Sequence, residues 1–345
     1  MSDSNTNAKL AAPQRISALD FTEGALVLIM VLYHWINYFI GPQWGYYFYL
    51  RFLTPSFIFI TGFMVSNVYL SKYDSADRRL PKRLFIRGSK LLAIFLALNM
   101  ARIVLVPLLS TGVLGGNLLD PGNMFIVFVS GNLSVVGGKL VSFSILVPIS
   151  YLLMLSGVLV LLHRFYKHTF HVVCALLLLC ILMLYLIGAQ SLNLEFVTIG
   201  MLGVVAGFVP IVRINSFVRH PYALALAYLF YLIAIKIRNV PFPLLIVGVF
   251  LSLMVIYLVG LSGSESVRIR DKIILLGKYS LFGYISQIAI LQILSAVFNH
   301  INFGLANLGI TFFAAFALTV TSVELVDRAR ARAARLDTLY KAVFA

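Results

Sequence analysis

The chain has 345 residues, of which 61% are hydrophobic and only 11% charged, and its mean hydropathy is +0.98. A water-soluble chain carries roughly 25% charged residues, so this composition excludes a soluble globular protein and requires much of the surface to face lipid. The formal net charge of +15 would suggest nucleic acid as the partner of a soluble protein. Here the basic residues lie between apolar stretches, so the expected partner of the positive charge is membrane lipid and not nucleic acid.

Ten apolar stretches approach the ~20-residue length that spans a bilayer. They predict helices at roughly 20–41, 49–71, 84–109, 141–163, 169–189, 194–214, 221–237, 241–262, 273–298 and 302–325. The stretch 221–237 is short, and the apolar patch 124–130 is too short to span and is expected to be re-entrant or interfacial. The sequence therefore predicts an all-α, polytopic transmembrane helix bundle of about ten spans.

The basic residues test this layout, because cytoplasmic loops hold an excess of Lys and Arg. With the N-terminus inside, 22 of the 27 basic residues fall in inside segments or adjoining span ends. Both termini are therefore predicted to be cytoplasmic. The expected division is a cytoplasmic segment 1–19, a transmembrane domain 20–325 and a cytoplasmic basic amphipathic tail 326–345, which we expect to rest on anionic lipid headgroups.

Ionisable residues inside spans are costly, so each is a functional candidate. His34 lies deep in the first predicted span or close to its outer end, and Glu23 precedes it by eleven residues, which places both on one helix face about 16 Å apart. A neutral imidazole can act as a general base at physiological pH. A hydrogen bond to a neighbouring helix would explain His34 equally well.

Basic residues of the third predicted span form a second candidate group. Arg83, Arg87 and Lys90 begin this span, and Arg102 lies near its other end. Positive-inside topology explains the basic start, which would also suit the phosphates of a cytosolic donor such as a coenzyme A thioester. Arg102 would either pair with an acidic group or hold an anion.

Several segments resemble the acyltransferase type 3 family of integral membrane acyltransferases, whose relatives include glucan succinylation proteins and the heparan glucosaminide acetyltransferase group. The first motif is Arg15-Ile16-Ser17-Ala18-Leu19-Asp20-Phe21-Thr22-Glu23-Gly24, followed at the family's spacing by His34. The others are Pro55-Ser56-Phe57-Ile58-Phe59-Ile60-Thr61-Gly62-Phe63 and Leu276-Gly277-Lys278-Tyr279-Ser280-Leu281-Phe282-Gly283-Tyr284, together with the basic start of the third span. The resemblance is strongest over 15–90 and 275–290. The chain departs from the family at Glu23, where the family has Arg, and at Gln287, where it usually has His.

The resemblance implies transfer of an acyl group, expected to be acetyl, from cytosolic acyl-CoA to a hydroxyl of a cell-surface or lipid-linked glycan. His34 would be the catalytic general base. The expected substrate-binding residues are Asn37, Tyr38, Glu23 and Arg51, and the expected donor-binding residues are Arg102, Arg83, Arg87 and Lys90. No metal is expected, and acetyl-CoA would be the donor substrate.

Two other classes of function stay open. A transporter or exporter of a small anionic or glycan metabolite would use Glu23, His34 and Arg102 as a proton relay and counter-ion set. A non-catalytic relative would act as a scaffold for envelope enzymes. A cytosolic thioester on one side of the bilayer implies a bacterial inner (plasma) membrane, and oligomer formation is compatible with each class.

Overall fold

The computed structural model describes residues 16–41, 45–72, 79–109, 121–131, 143–238, 240–263, 267–298 and 305–344. Within these ranges the chain is helical, with no strand. The α-helices are α1 (Ser17–Trp35), α2 (Leu53–Met64), α3 (Arg79–Leu109), α4 (Pro121–Val129), α5 (Leu146–His163), α6 (Thr169–Leu186), α7 (Leu192–Ala206), α8 (Ile211–Val218), α9 (Pro221–Arg238), α10 (Phe242–Ser262), α11 (Val267–Lys278), α12 (Ser280–Phe298), α13 (Leu305–Arg332) and α14 (Ala334–Phe344). Two π-helical segments, Ile36–Ile40 and Val65–Leu70, continue α1 and α2.

Eight helical segments of the described chain are long and apolar enough to cross a bilayer, and a bent pair makes up to nine. Large apolar side chains point outward from them: Leu176 and Leu182 on α6, and Leu226 and Phe230 on α9, are each more than half exposed. Soluble proteins rarely expose such continuous apolar surface, so these faces contact lipid. The prediction of a multi-pass helical membrane protein is confirmed.

Two predicted helices are broken in the structure. The stretch predicted at 194–214 divides into α7 and α8, which meet at 101° around the turn that precedes Pro210. Proline cannot continue a helix that needs its N–H group, so the chain turns there. The stretch predicted at 273–298 divides into α11 and α12 at Tyr279. The predicted 221–237 helix is present as a short apolar helix, and the predicted patch 124–130 lies largely within α4.

The first helix is central, since α1 packs against α2, α10, α11, α12 and α13. Its approach to α11 requires glycine on both sides. A Cβ atom at Gly24 would collide with the carbonyl oxygen of Ile273, and one at Gly277 would collide with that of Asp20. Small residues let membrane helices come into backbone contact, where van der Waals packing is strongest. This contact fixes α1 against the region just before the break at Tyr279.

The second helix packs on α7 in the same way. A Cβ atom at Gly62 would collide with the carbonyl oxygen of Gly200, so the glycine permits the close approach of the two helices. The hydroxyl of Ser66 donates to the carbonyl oxygen of Val204 at 2.6 Å. Pro55 lies in the first turn of α2, where no intrahelical N–H is required, so it causes no break in the middle of the helix.

The break between α11 and α12 is held by α13. The Tyr279 hydroxyl donates to a carboxylate oxygen of Asp327 at 2.7 Å, and the guanidinium of Arg330 donates to the same hydroxyl at 2.9 Å. The helix α13 continues through the predicted domain boundary at 325/326 and ends at Arg332. The chain then folds back as α14, whose aromatic residues contact the bundle.

Candidate functional site

A cavity of about 330 Å³ opens between the beginnings of α1, α3 and α12 and the end of α2. Its charged lining consists of Asp20, Glu23, Arg87, Lys90 and Lys278. These side chains come from three separate helical segments, which the packing of α1 on α11 and of α3 on α5 holds in place. We call this region the basic cavity, because cations outnumber carboxylates among the ionisable side chains around it.

The cations of the basic cavity come from two helices. Arg87 and Lys90 are three residues apart on α3 and so lie on one face. The Arg87 guanidinium lies over the ring of Tyr69, 5.3 Å from its centroid, a favourable cation–π distance. Lys278 ends α11 and also lines the cavity. Cations from two helices, with an aromatic ring beside one of them, can bind an anion such as a phosphate ester.

The inner end of the basic cavity is Tyr284 on α12. Its side chain lines the cavity and the residue is only 8% exposed. The ring centroid of Tyr284 lies 6.4 Å from that of His34, and a second ring, that of Phe143, packs edge-on against Tyr284 at 6.0 Å. A single buried phenol ring therefore lies in contact with both the cavity and the imidazole that the sequence singled out.

Phe143 reaches this position through an uncommon backbone. Its φ is +63°, the only positive value at a non-glycine residue in the described chain. A bulky residue in the left-handed region is unfavourable by about 1–3 kcal/mol and persists only where its surroundings hold it. Here the buried ring contact with Tyr284 does so, which marks the segment before α5 as part of the site's support.

The helix α14 covers part of the basic cavity with Tyr340, Val343 and Phe344. Hydrogen bonds from Lys341 and Arg330 hold the pKa of Asp337, which lies in the first turn of α14, below its usual value. Tyr279 packs against Tyr340 of this helix. Burial and the neighbouring carboxylate of Asp327 raise the pKa of Tyr279 to about 12, so its hydroxyl is neutral at physiological pH.

The sequence-predicted site residues fall at two levels of the bundle. Glu23, Arg87 and Lys90 lie together around the basic cavity. Asn37 and Tyr38 lie at the far end of the first span, on the π-helical turn Ile36–Ile40, about 20 Å along the helix from Glu23. His34 lies between these two levels, on the side of the far end.

The other three predicted residues lie outside the cavity lining. Arg51 is exposed, about 20 Å along the second span from Met64, which does line the cavity. Arg83 is exposed on α3 and is not among the lining residues. Arg102 lies on α3 about 22 Å beyond Arg87, so the backbone places it toward the far end; its side chain lies outside the described residues.

A buried polar group lies near the far level. The Asn37 side-chain oxygen is shielded from solvent and accepts no hydrogen bond within the described chain. Such orphaned oxygens are uncommon in folded proteins. On α12, Gln287 is fully buried, and neither its amide oxygen nor its amide nitrogen has a partner in the described chain.

The lining residues that the sequence did not predict as site residues include Lys278, Tyr284 and Tyr340. Tyr284 and Lys278 belong to the motif Leu276–Tyr284 that resembles the family, but the resemblance assigned no function to either residue. Tyr340 had no signal, because its place depends on the fold-back after Arg332. Among the described residues, no group of three or more His, Cys, Asp or Glu side chains is placed to hold a metal ion.

No protein-family model, curated protein or solved structure matches this chain. The chain is a multi-pass α-helical membrane protein with a charged cavity among its helices.

Proposed function

We propose that this protein is a membrane-bound acyltransferase that moves an acyl group, taken to be acetyl, from cytosolic acyl-CoA to a hydroxyl of a cell-surface or lipid-linked glycan. The observation that carries the proposal is the contact at Tyr284: a cavity with Arg87, Lys90 and Lys278 on its walls ends at a ring that lies beside His34. A cavity for an anion next to an imidazole suits a donor and a general base. The sequence resemblance adds the reaction type.

The proposed topology has about ten crossings with both termini in the cytoplasm of a bacterial cell. The eight apolar spans, the bent pair α7–α8 and the short helix α9 supply ten segments. The basic loops then alternate with the less basic ones, and the basic cavity opens on the cytoplasmic side, where acyl-CoA would be available. The acceptor would approach from the other side, near Asn37 and Tyr38.

The donor would lie with its phosphates against Arg87, Lys90 and Lys278 and its thioester toward Tyr284. Charge-assisted hydrogen bonds to phosphate are short and strong, and two walls of cations hold an elongated ligand in one direction. The family's Arg, eleven residues before the His, is Glu23 here. In the proposed site its cationic role passes to Arg87 and Lys278, which lie around the same cavity.

In the proposed reaction, His34 accepts the proton of the acceptor hydroxyl as its oxygen attacks the thioester carbonyl carbon. The new ester bond forms, the carbon–sulfur bond breaks, and the leaving thiolate takes up the proton. Tyr284 separates the imidazole from the donor cavity until both substrates are bound, which limits hydrolysis by water.

Mass spectrometry of surface glycans, with and without the gene, tests the proposal. Loss of an acyl mass that returns with the wild-type gene, but not with a His34→Ala variant present at equal level in the membrane, supports the enzyme. The transporter alternative predicts instead that a metabolite accumulates in the cytosol, and a scaffold predicts unchanged acyl mass in the His34→Ala cells.

A further inference from the structure

The C-terminal helix presents two different faces. Tyr340, Val343 and Phe344 follow the i, i+3, i+4 spacing that brings side chains onto one side of a helix, and all three line the basic cavity. On other sides, Leu336 and Leu339 are exposed. The helix therefore points its aromatic face at the cavity, although the sequence pattern alone suits a helix lying on lipid headgroups.

A cluster of rings attaches this face to the bundle. Tyr340 packs against Tyr279 with ring centroids 5.3 Å apart, and Phe344 packs against Phe282 at 5.8 Å. Tyr340 and Phe344 also stack on each other at 4.9 Å. Aromatic pairs at these distances contribute beyond their buried area, so the cluster holds α14 against the start of α12.

Arg330 connects this cluster to α13. Its guanidinium lies 4.1 Å from the ring centroid of Tyr340 and 5.2 Å from that of Tyr279, and it also pairs with Asp337 in the first turn of α14. One side chain thus contacts both sides of the fold-back. The contacts are partly exposed and few, so they set a position for α14 that a modest free energy can release.

We infer that α14 is a wall of the ligand site, with Tyr340 and Phe344 as its binding residues and Arg330 as the positioning residue that docks it. The ligand that fits has an anionic group for Arg87 and Lys90 and an apolar or planar part for the two rings. The inference deepens the proposed function and rests on it for the identity of the ligand as the acyl-CoA donor. The wall itself is a separate claim, tested without any reaction.

The test measures access to the cavity. Leu281, which lines it, is replaced by cysteine in a full-length chain whose native thiols are removed (Cys174→Ala, Cys180→Ala), and a charged maleimide is applied to protein in detergent. The Arg330→Ala variant should react about five- to thirtyfold faster, the factor that a change of about 1–2 kcal/mol in the docking equilibrium gives. Arg332→Ala is the matched control, because it removes an exposed arginine two residues away.

Equal rates in the Arg330 and Arg332 variants would overturn the inference, provided that both run as single species in size exclusion. A chain ending at Ala333, which lacks α14, provides a second measurement. Its cysteine should react at least as fast as that of Arg330→Ala. A rate equal to that of the intact chain also overturns the inference that α14 is a wall of the site.

Coenzyme A then distinguishes the wall from the donor. Coenzyme A should slow the reaction of the cysteine with the maleimide. If it slows the reaction less in Tyr340→Ala than in the parent, Tyr340 is a binding residue. Equal protection in the two proteins overturns that role. If coenzyme A protects no variant while Arg330→Ala still speeds the reaction, the wall stands and the proposed donor is wrong.

Discussion

The imidazole of His34 and the phenol ring of Tyr284 lie 6.4 Å apart, centroid to centroid, although 250 residues separate them in the chain. They meet because Gly24 and Gly277 let α1 and α11 come into backbone contact, after which α12 follows α1 toward the far end. The pair connects His34, the proposed general base, to the basic cavity.

Replacing His34 with Ala should lower the rate of acyl transfer by about 10²–10⁴-fold, the usual contribution of a general base. The measurement is transfer of a radiolabelled acetyl group from acetyl-CoA to glycan acceptors in isolated membranes. His168→Ala is the matched control, because His168 is exposed at the start of α6. Full activity in a well-inserted His34 variant would remove His34 from the mechanism.

Replacing Tyr284 with Ala should uncouple the two substrates. Without the ring, water reaches the thioester from the side of His34, so hydrolysis rises relative to transfer. The readout is free thiol released per acyl group transferred. Tyr284→Phe keeps the ring and should keep the ratio of the parent; a ratio unchanged in the Ala variant would contradict a separating role.

Replacing Arg87 with Ala should raise the KM for the donor about tenfold or more and change kcat less. A hydrogen bond to a charged group contributes about 1.5–3 kcal/mol, and the cation–π contact with Tyr69 holds the guanidinium at the cavity. Lys82→Ala, which removes an exposed charge on the same helix outside the cavity, is the control. An equal rise in KM for both variants would point to a general effect of surface charge.

Replacing Gly24 with Ala should lower the thermal midpoint in detergent. The added Cβ collides with the backbone of Ile273, and overpacking of this kind costs about 1–3 kcal/mol. Gly309→Ala adds the same methyl group on α13 where nothing lies within 4 Å, so its midpoint should not fall. A midpoint that falls equally in both variants would exclude the helix contact as the cause.

The docking of α14 should weaken in acid. Lys341 and Arg330 lower the pKa of Asp337 in the folded protein, so the ionised carboxylate stabilises the fold above its ordinary pKa of 3.8, and this contribution is lost as the pH falls through the lower folded value. The difference in thermal midpoint between the parent and Asp337→Asn should be present at neutral pH and close well below pH 4. Asp271→Asn, at an exposed carboxylate, should show no such closing difference.

The sequence predicted the membrane class and most helices. Apolar runs long enough to span a bilayer almost always form transmembrane helices, because a helix satisfies its own backbone hydrogen bonds. It predicted one helix over 273–298 because the run is apolar and long enough to span a bilayer. At the break, the Tyr279 hydroxyl makes hydrogen bonds with Asp327 and Arg330, some fifty residues later in the chain. The hydrophobic pattern of one segment does not indicate which distant residues it will contact.

The candidate site was predicted in part. Arg87, Lys90 and Glu23, which were predicted from the sequence as binding residues, all line the cavity. Arg102, predicted with them, lies 15 residues beyond Arg87, which corresponds to about 22 Å of helix. The expectation that the basic tail rests on lipid headgroups stays a prediction. The structure adds that the aromatic residues of α14 pack on the protein, where the rings at 340 and 344 contact those at 279 and 282.

The contact between Gly24 and Gly277 also sets an order for biosynthesis. The first helix leaves the ribosome about 250 residues before its partner, which at 5–20 residues per second means roughly 10–50 s in the bilayer with its glycine face uncovered. In that interval lipid takes the place of α11 against this face. The pairing of His34 with Tyr284 is thus completed only near the end of translation, and a chain that stops before α12 leaves the histidine in the membrane without its neighbour.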